Sequence, residues 1–560
     1  MLISSGVKVK MERCSFLKKD FVFFCASTAL ILFTSFTVLF PTIYNPILLV
    51  SYDSLLHTSI GNSILHYGLP PKTLYLPEEP LNYHWFGDLL MLLFNQLIIK
   101  KKYLLQSWPY FSLCVAFLIL YAAYNLSKRI GLGRFVSVVS SYFVMFGYGI
   151  YSGVAFLLKQ AGQQSFPITN IDFLTKCALY HDFKITFAKF YVPAPFPAVL
   201  PLVLFYPILL MALIKHSHSA RLSLDYTKTL ISFLFGGTSL FLINFLCGVS
   251  VLVSSFIGVV VLILCGKINC HTNHERAFKI LLPIVALGVI NAALLKLLIG
   301  GGIIGRIHFP FSPGWKFNFQ MIGNLIIPGT LPLLLFSSCL KLKNGCLKLP
   351  YPVLLLIIMG TGHGILNFVI FPDDNQYKFI FLFYFYLCIG SFYIFIKAYR
   401  KKNKKFIFWS LLISTFFIAI NSFFFCFSYA KVRCHGMTSC GEYALTMNDF
   451  SCAQWIEKNT GESSVFAELT QVEYSIITSL ANRRTYIKFI NALKLHGYNK
   501  KLIESRFKNL LVINNHGDIE KARRLGIDYI LCNNITRRHF LDHQEKIVYE
   551  NPEYTIFRTH

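Results

Sequence analysis

Asp53 and His57 are the residues whose types and spacing could do chemistry. In a helix over 52–67 they would lie one turn apart, at the edge of the apolar stripe formed by Leu56, Ile60 and Ile64. A carboxylate there could accept a proton from a nucleophile at a membrane surface. From the residues alone, an ordinary N-cap role for Asp53 is favoured, because it precedes an apolar-periodic run.

The composition defines the setting of these residues. The chain has 560 residues, of which 55% are hydrophobic and only 14% charged, with a mean hydropathy of +0.54. These values are typical of an integral membrane protein. The net charge of +27 resides mainly in short loops between apolar runs, which follows membrane topology and excludes nucleic-acid binding.

The apolar runs predict an α-helical polytopic membrane protein with about eleven spans. The predicted spans are 21–41, 105–126, 135–157, 196–214, 228–246, 249–266, 277–299, 321–340, 351–371, 378–396 and 406–428. The run 85–99 is shorter and carries Asp88, so we interpret it as an interfacial or re-entrant helix.

Charge asymmetry orients the spans. With a cytoplasmic N-terminus, the inside loops are richer in Lys and Arg than the outside loops. The transmembrane module 1–428 then has outside loops at 42–104 and 158–195. The less hydropathic residues 429–560, with alternating strand-like and helix-like runs, predict a small extracytoplasmic α/β domain. That compartment permits a disulfide, which we expect among Cys434, Cys440 and Cys452, while Cys532 is a further candidate.

The order of features in the first outside loop resembles the GT-C superfamily of membrane glycosyltransferases. The matching features are Tyr52-Asp53, His57, the GLPP turn at 68–71 and the segment EPLNYHW at 79–85. The layout is most similar to bacterial members of the protein O-mannosyltransferase and aminoarabinose transferase group. The resemblance implies a sugar donor linked to polyprenyl phosphate, a glycan, lipid or protein acceptor, and inversion with Asp53 as general base.

The same resemblance implies further site residues. A second acid is expected in the second outside loop, where Asp172 and Asp182 are equal candidates and either is as readily a loop or capping residue. Lys378, at the start of a late span, would contact the donor phosphate, although a lysine there is equally an ordinary snorkelling anchor. Arg306 and Lys316, with His308, would share that role, and Tyr83 and His84 would lie in the acceptor loop.

Three questions stay open at this point. The histidines His57, His66 and His84 are more often hydrogen-bonded surface groups than metal ligands, so we predict no metal site, and the sequence does not decide whether a divalent cation is needed. The alternative function is a transporter or flippase of a lipid-linked or polar solute. We favour an enzyme in the inner or plasma membrane, because the predicted spans are nearly free of charge and the acids cluster outside.

Overall fold

The computed structural model describes residues 48–81, 85–146, 196–217, 223–268, 274–298, 349–366, 377–399, 409, 442–470 and 475–560. Long apolar helices form a bundle in the first two thirds of this part of the chain. Their bounds are α3 Trp108–Arg129, α4 Arg134–Phe146, α5 Phe196–His216, α6 Leu224–Ile243, α7 Phe245–Leu264, α8 His274–Leu298, α9 Tyr351–Leu366 and α10 Tyr377–Tyr399. Five helical stretches among the described residues are long and apolar enough to cross a membrane, so the chain is a multi-pass membrane protein.

Every predicted span that falls on described residues coincides with one of these helices. The residues of the predicted spans 135–157 and 351–371 that follow Phe146 and Leu366 lie outside the described residues. The predicted spans 21–41, 321–340 and 406–428 lie outside the described residues, so the total of eleven stays a prediction.

Helix α10 is the centre of the bundle. It packs against α9 and α4, and its tyrosine hydroxyls bridge to neighbouring backbones. Tyr384 donates to the Phe143 carbonyl oxygen at 2.8 Å, and Tyr386 donates to that of Val203 at 2.7 Å. Because no water is available in hydrocarbon, each hydroxyl is satisfied by a carbonyl of another helix.

The first loop contains strand β1 (Leu48–Ser51), helix α1 (Tyr52–Tyr67) and helix α2 (Phe86–Phe94), which continues into a π-helical turn at Asn95–Ile99. The apolar segment Phe86–Ile99 is shorter than a span. It buries Asp88 and Met91 while Leu97 and Ile98 are exposed, an arrangement suited to a helix at a membrane surface.

Helix α1 is enclosed by protein on both its apolar and its polar face. Both Ile60 and the opposite residues Ser59 and Asn62 are buried. The apolar face packs against α2 and the 3₁₀ turn Leu104–Ser107, and the polar face packs against a short helix near the C-terminus. The polar residues of α1 form hydrogen bonds with protein groups. The periodicity of the sequence does not show whether a polar residue contacts protein or water.

Residues 442–560 form an α/β region, whose elements are β2 Glu442–Leu445, α11 Met447–Asn459, β3 Val465–Glu468, α12 Ile476–Ser479, β4 Arg484–Thr485, α13 Ile490–Leu495, α14 Lys500–His516, α15 Ile519–Arg524, β5 Tyr529–Asn533, β6 Ile547–Glu550 and β7 Tyr554–Arg558. Five of the strands form a mixed sheet with the order β4-β3-β5-β7-β6. Strand β3 is parallel to β4 and β5, and β7 is antiparallel to β5 and β6.

Helix starts in this region follow their sequence signals. Thr446 and Asp449 form a reciprocal capping box at α11, and Asn499 caps α14. Cys452 and Cys532 are buried free thiols. The predicted disulfide therefore does not involve Cys452, and Cys434 and Cys440 lie outside the described residues.

The C-terminal region is joined to the first loop by backbone pairing. Strand β1 pairs antiparallel with β2 from Leu48 opposite Leu445 to Ser51 opposite Glu442. In edge strand β4, the Thr485 N–H donates to the Leu74 carbonyl oxygen of the first loop at 2.9 Å. The first loop thus covers a sheet edge that would otherwise present unpaired groups. The domain boundary at 429 stays a prediction.

Candidate functional site

A buried histidine–carboxylate pair lies between the first two helices. His57 Nδ1 is 3.0 Å from Asp88 Oδ1 and 3.3 Å from Oδ2, and the two side chains are 5% and 0% exposed. Burial raises the pKa of the Asp88 carboxyl above its ordinary value, and the charge and hydrogen bond of His57 oppose that shift. An acid in an apolar helix is thereby compensated by a base from the neighbouring helix.

The start of α1 is fixed by a second set of contacts. Trp108 donates its indole N–H to Thr58 Oγ1 at 3.1 Å, and Thr58 Oγ1 donates to the Ser54 carbonyl oxygen at 2.6 Å. The Trp108 ring also meets the His57 ring edge to face, with centroids 6.4 Å apart. These contacts hold the turn that carries His57 against the first helix of the bundle.

Asp53 occupies the first turn of α1 and is exposed. Its position four residues before His57 places both groups near the same end of the helix. One partner of His57 is Asp88, which contacts its ring across 31 residues of sequence.

Lys378 is buried in the first turn of α10, with only 7% of its surface exposed. Its Nζ lies 5.5 Å from the centroid of the Phe196 ring, in cation–π range. The aliphatic stem is therefore inside the bundle, and Lys378 is not a simple snorkelling anchor whose head is fully in water.

His496 follows α13 in the C-terminal region and is affected by residues of two other parts of the chain. Burial, and then the positive charges of His57 and Lys378, lower the pKa of His496 to about 3. The pKa of this residue of the C-terminal region is thus affected by one residue of the first loop and by one residue of α10.

A second buried acid lies at the carboxyl end of strand β3. Glu468 ends β3 and accepts hydrogen bonds from Ser475 Oγ at 2.6 Å and the Ile476 N–H at 3.0 Å. Burial raises the pKa of Glu468, and Lys488 opposes the shift. The Lys488 N–H donates to the Tyr75 carbonyl oxygen at 3.0 Å, so this edge of the sheet faces the first loop.

Several predicted site residues lie outside the described part of the chain. These are Tyr83, His84, Asp172, Asp182, Arg306, His308 and Lys316. Sequence reasoning missed Asp88 as the partner of His57, although a lone acid in the run WFGDLLMLLF was the available signal, because such an acid needs a partner. It also missed His496, for which no local pattern gives a signal.

A metal centre has no candidate within the described residues. No group of three or more His, Cys, Asp or Glu side chains in that part of the chain is arranged to hold an ion.

The fold is shared by solved structures of another protein over more than nine tenths of this chain. ArnT from Cupriavidus metallidurans shares the fold in its apo crystal structure, with 9% identity over 96% of this chain and 97% of that one and a TM-score of 0.55. ArnT bound to undecaprenyl phosphate matches over 96% of this chain and 98% of that one, with 9% identity and a TM-score of 0.52.

The oligosaccharyltransferase of Archaeoglobus fulgidus, crystallised with Zn and sulfate, matches 91% of this chain and 67% of that one at 11% identity and a TM-score of 0.49. No protein-family model and no curated protein sequence matches the chain. The similarity to the two ArnT structures, at 9% identity, establishes the fold alone.

Proposed function

We propose that the protein is a membrane glycosyltransferase, which transfers a sugar from a polyprenyl-phosphate-linked donor to a glycan, lipid or protein acceptor on the non-cytoplasmic face. The shared fold of ArnT, which binds undecaprenyl phosphate in one of its crystal structures, supports this class of donor. The burial of Lys378 in the first turn of α10, beside the Phe196 ring, is the observation that carries the proposal.

The donor phosphate would be bound where α10 enters the bundle. A phosphodiester in a poorly hydrated site needs a positive charge close by, because burying an unpaired anion is costly. Lys378 supplies that charge beside Phe196. A polyprenyl chain would then extend along the apolar helices, whose outer faces are lined by exposed side chains such as Phe235 and Leu264.

Asp53 would act as the general base. In the proposed step, the acceptor hydroxyl or amine attacks the anomeric carbon, and the bond from that carbon to the phosphate oxygen breaks. The phosphate leaves with the electron pair, and the acceptor proton passes to Asp53. A single displacement of this kind inverts the anomeric centre. The exposure of Asp53 on the helix that also carries His57 supports this role.

The first loop and the C-terminal region would share the non-cytoplasmic face. Their direct contacts support a common side, because Ser59 Oγ shares hydrogen bonds with Thr478 Oγ1 at 2.8 Å and Ser479 Oγ at 2.9 Å. The positive-inside rule then assigns that side to the exterior of an inner or plasma membrane, with a cytoplasmic N-terminus.

The proposal is tested by incubating the purified full-length protein with lipid-linked sugars extracted from membranes and with a membrane acceptor fraction. Sugar transfer that depends on the protein and releases polyprenyl phosphate is expected. If the donor lipids are intact after incubation with every acceptor fraction, the protein is not a transferase of this class.

A further inference from the structure

Buried hydroxyl groups link helix α1 to Glu468 in the C-terminal region. Ser475 Oγ donates to Glu468 Oε2 at 2.6 Å. Thr478 Oγ1 donates to Ser475 Oγ at 3.0 Å and lies 2.8 Å from Ser59 Oγ. We call Ser59, Thr478 and Ser475 the hydroxyl chain. The chain and Glu468 are buried, so their hydrogen bonds must be made within the protein.

The number of hydrogens gives the hydroxyl chain a direction. Each hydroxyl carries one hydrogen. Thr478 uses its hydrogen within the chain, so its Oγ1 is an acceptor for Ser59. The Leu55 carbonyl oxygen is a second acceptor within reach of Ser59 Oγ, at 2.9 Å, but Ser479 Oγ also donates to it, at 3.0 Å. With the Ser59 hydrogen on Thr478, every hydroxyl of the chain donates towards the carboxylate.

The other carboxylate oxygen leads to the first loop by a second route. Glu468 Oε1 accepts hydrogen bonds from the Ile476 N–H at 3.0 Å and from Thr470 Oγ1 at 3.4 Å. Lys488 Nζ donates to Thr470 Oγ1 at 3.4 Å, and the Lys488 N–H donates to the Tyr75 carbonyl oxygen. Glu468 is therefore joined to the first loop twice, through the hydroxyl chain and through Thr470 and Lys488.

The hydroxyl chain ends on the helix that carries the proposed base. Asp53 precedes Ser59 by six residues, which is about 9 Å along a helix. Asn62, one turn after Ser59, also contacts α12, because its Nδ2 donates to the Thr478 carbonyl oxygen. Since α1 is one continuous helix over Tyr52–Tyr67, a shift of the helix at Ser59 also moves Asp53.

We propose that Glu468 is a positioning residue for sugar transfer, which fixes α1 through the hydroxyl chain and so holds Asp53 at the acceptor. This inference rests on the proposed function. Glu468 acts through other residues and touches neither substrate nor reacting atoms. A displacement of a catalytic group by about 1 Å can lower a rate by about 100-fold. Loss of the hydroxyl chain therefore affects the chemical step more than donor binding.

The competing explanation is that the hydroxyl chain only stabilises the C-terminal region. A matched control for this explanation is Thr559, which is buried and whose Oγ1 donates to the Ile527 carbonyl oxygen at 2.6 Å. That hydrogen bond lies wholly within the C-terminal region. Thr478→Val and Thr559→Val each remove one buried hydroxyl and preserve the shape of the side chain, but only Thr478→Val breaks the link to α1.

The test measures single-turnover sugar transfer at saturating donor by the purified full-length protein, and its affinity for undecaprenyl phosphate in lipid nanodiscs. We expect Thr478→Val to transfer about three- to tenfold more slowly than wild type, the range that one hydrogen bond supplies. Its affinity for undecaprenyl phosphate should be unchanged. Thr478→Ser, which keeps the hydroxyl, should restore the rate, and Thr559→Val should transfer like wild type.

Glu468→Gln tests the acid itself. The Ile476 N–H can only donate, so the glutamine amide must turn its oxygen to Ile476 and its NH₂ group to Ser475, where the carboxylate is an acceptor. The direction of the hydroxyl chain is then lost, and we expect slower transfer with unchanged donor affinity. Should Thr478→Val fail to fold, Glu468→Gln is compared with Thr559→Val by the same measurements.

Hydrogen exchange of residues 52–58, measured by mass spectrometry, reports on α1 independently of activity. Exchange should be faster in Thr478→Val than in Thr559→Val. Equal transfer rates or equal exchange for these two variants would overturn the inference, while transfer by wild type would still support the proposed function. If wild type transfers no sugar from any donor preparation, the proposed function is wrong, and the exchange comparison alone decides whether the hydroxyl chain fixes α1.

Discussion

Asn62 Nδ2 donates to the Thr478 carbonyl oxygen at 2.8 Å, across 416 residues of sequence, and to that of Ser479 at 3.1 Å. In return, Ser479 Oγ donates to the Leu55 carbonyl oxygen at 3.0 Å. Helix α1, which carries Asp53 and His57, is therefore held in place by the C-terminal region. The C-terminal region is thus part of the support of the candidate site.

The Asn62 contact predicts a stability effect. Asn62→Ala leaves two buried carbonyl oxygens without this donor, which costs about 1–3 kcal/mol. We expect a lower midpoint of thermal unfolding in detergent and faster proteolysis of the C-terminal region. The control is Asn459→Ala, because Asn459 is exposed and bonds only within its own helix, to the Trp455 carbonyl oxygen. Equal midpoints for the two variants would contradict the docking role of Asn62.

Gly517 is expected to be necessary for the stability of the C-terminal region. It follows α14 with a φ of +63°, and an added Cβ would overlap the backbone oxygen of His539. Gly517→Ala should destabilise the region well beyond the roughly 1 kcal/mol of a left-handed alanine. Gly526→Ala isolates the overlap, because Gly526 has a φ of +71° and no atom within 4 Å of that position. Similar unfolding midpoints for the two variants would show that the overlap is relieved.

Asp53 is expected to govern the chemical step. Asp53→Asn removes the proton acceptor and should lower transfer by about 100- to 10,000-fold, with donor binding retained. Single-turnover transfer from extracted donor lipids measures this change. The control, Glu504→Gln, alters an exposed acid that pairs with Lys500 on α14. Transfer by Asp53→Asn at the rate of the control would remove Asp53 from the role of base.

Lys378 is expected to govern donor binding instead. Lys378→Met keeps an apolar stem beside Phe196 and removes the charge, so the donor concentration needed for half-maximal transfer should rise about tenfold or more. Lys397→Met is the control at the other end of the same helix, where Nζ lies 5.7 Å from the Tyr393 ring centroid. An unchanged donor requirement would assign Lys378 a structural role.

The sequence predicted those features that depend on local pattern. Spans such as 196–214 and 249–266 were found because an apolar run of this length is sufficient evidence for a membrane helix. Helix α1 and the position of Lys378 at a helix start also followed from periodicity and from the end of an apolar run.

Features that depend on distant contacts were not predicted. The polar residues Ser59 and Asn62 form hydrogen bonds with the C-terminal region, and a periodic pattern shows that a helix face is polar without showing its partner. Asp88 was treated as a topological signal, although its burial beside His57 makes it part of the candidate site. His496 came from a separate region and had no local signal at all.

The lipids that co-purify with the protein test the central claim most directly. We predict that mass spectrometry of lipids extracted from the purified wild-type protein detects a polyprenyl phosphate or its glycosyl ester, and that Lys378→Met retains several-fold less than Lys397→Met. The account would be contradicted if wild type carried no more of these lipids than an unrelated membrane protein purified from the same membranes.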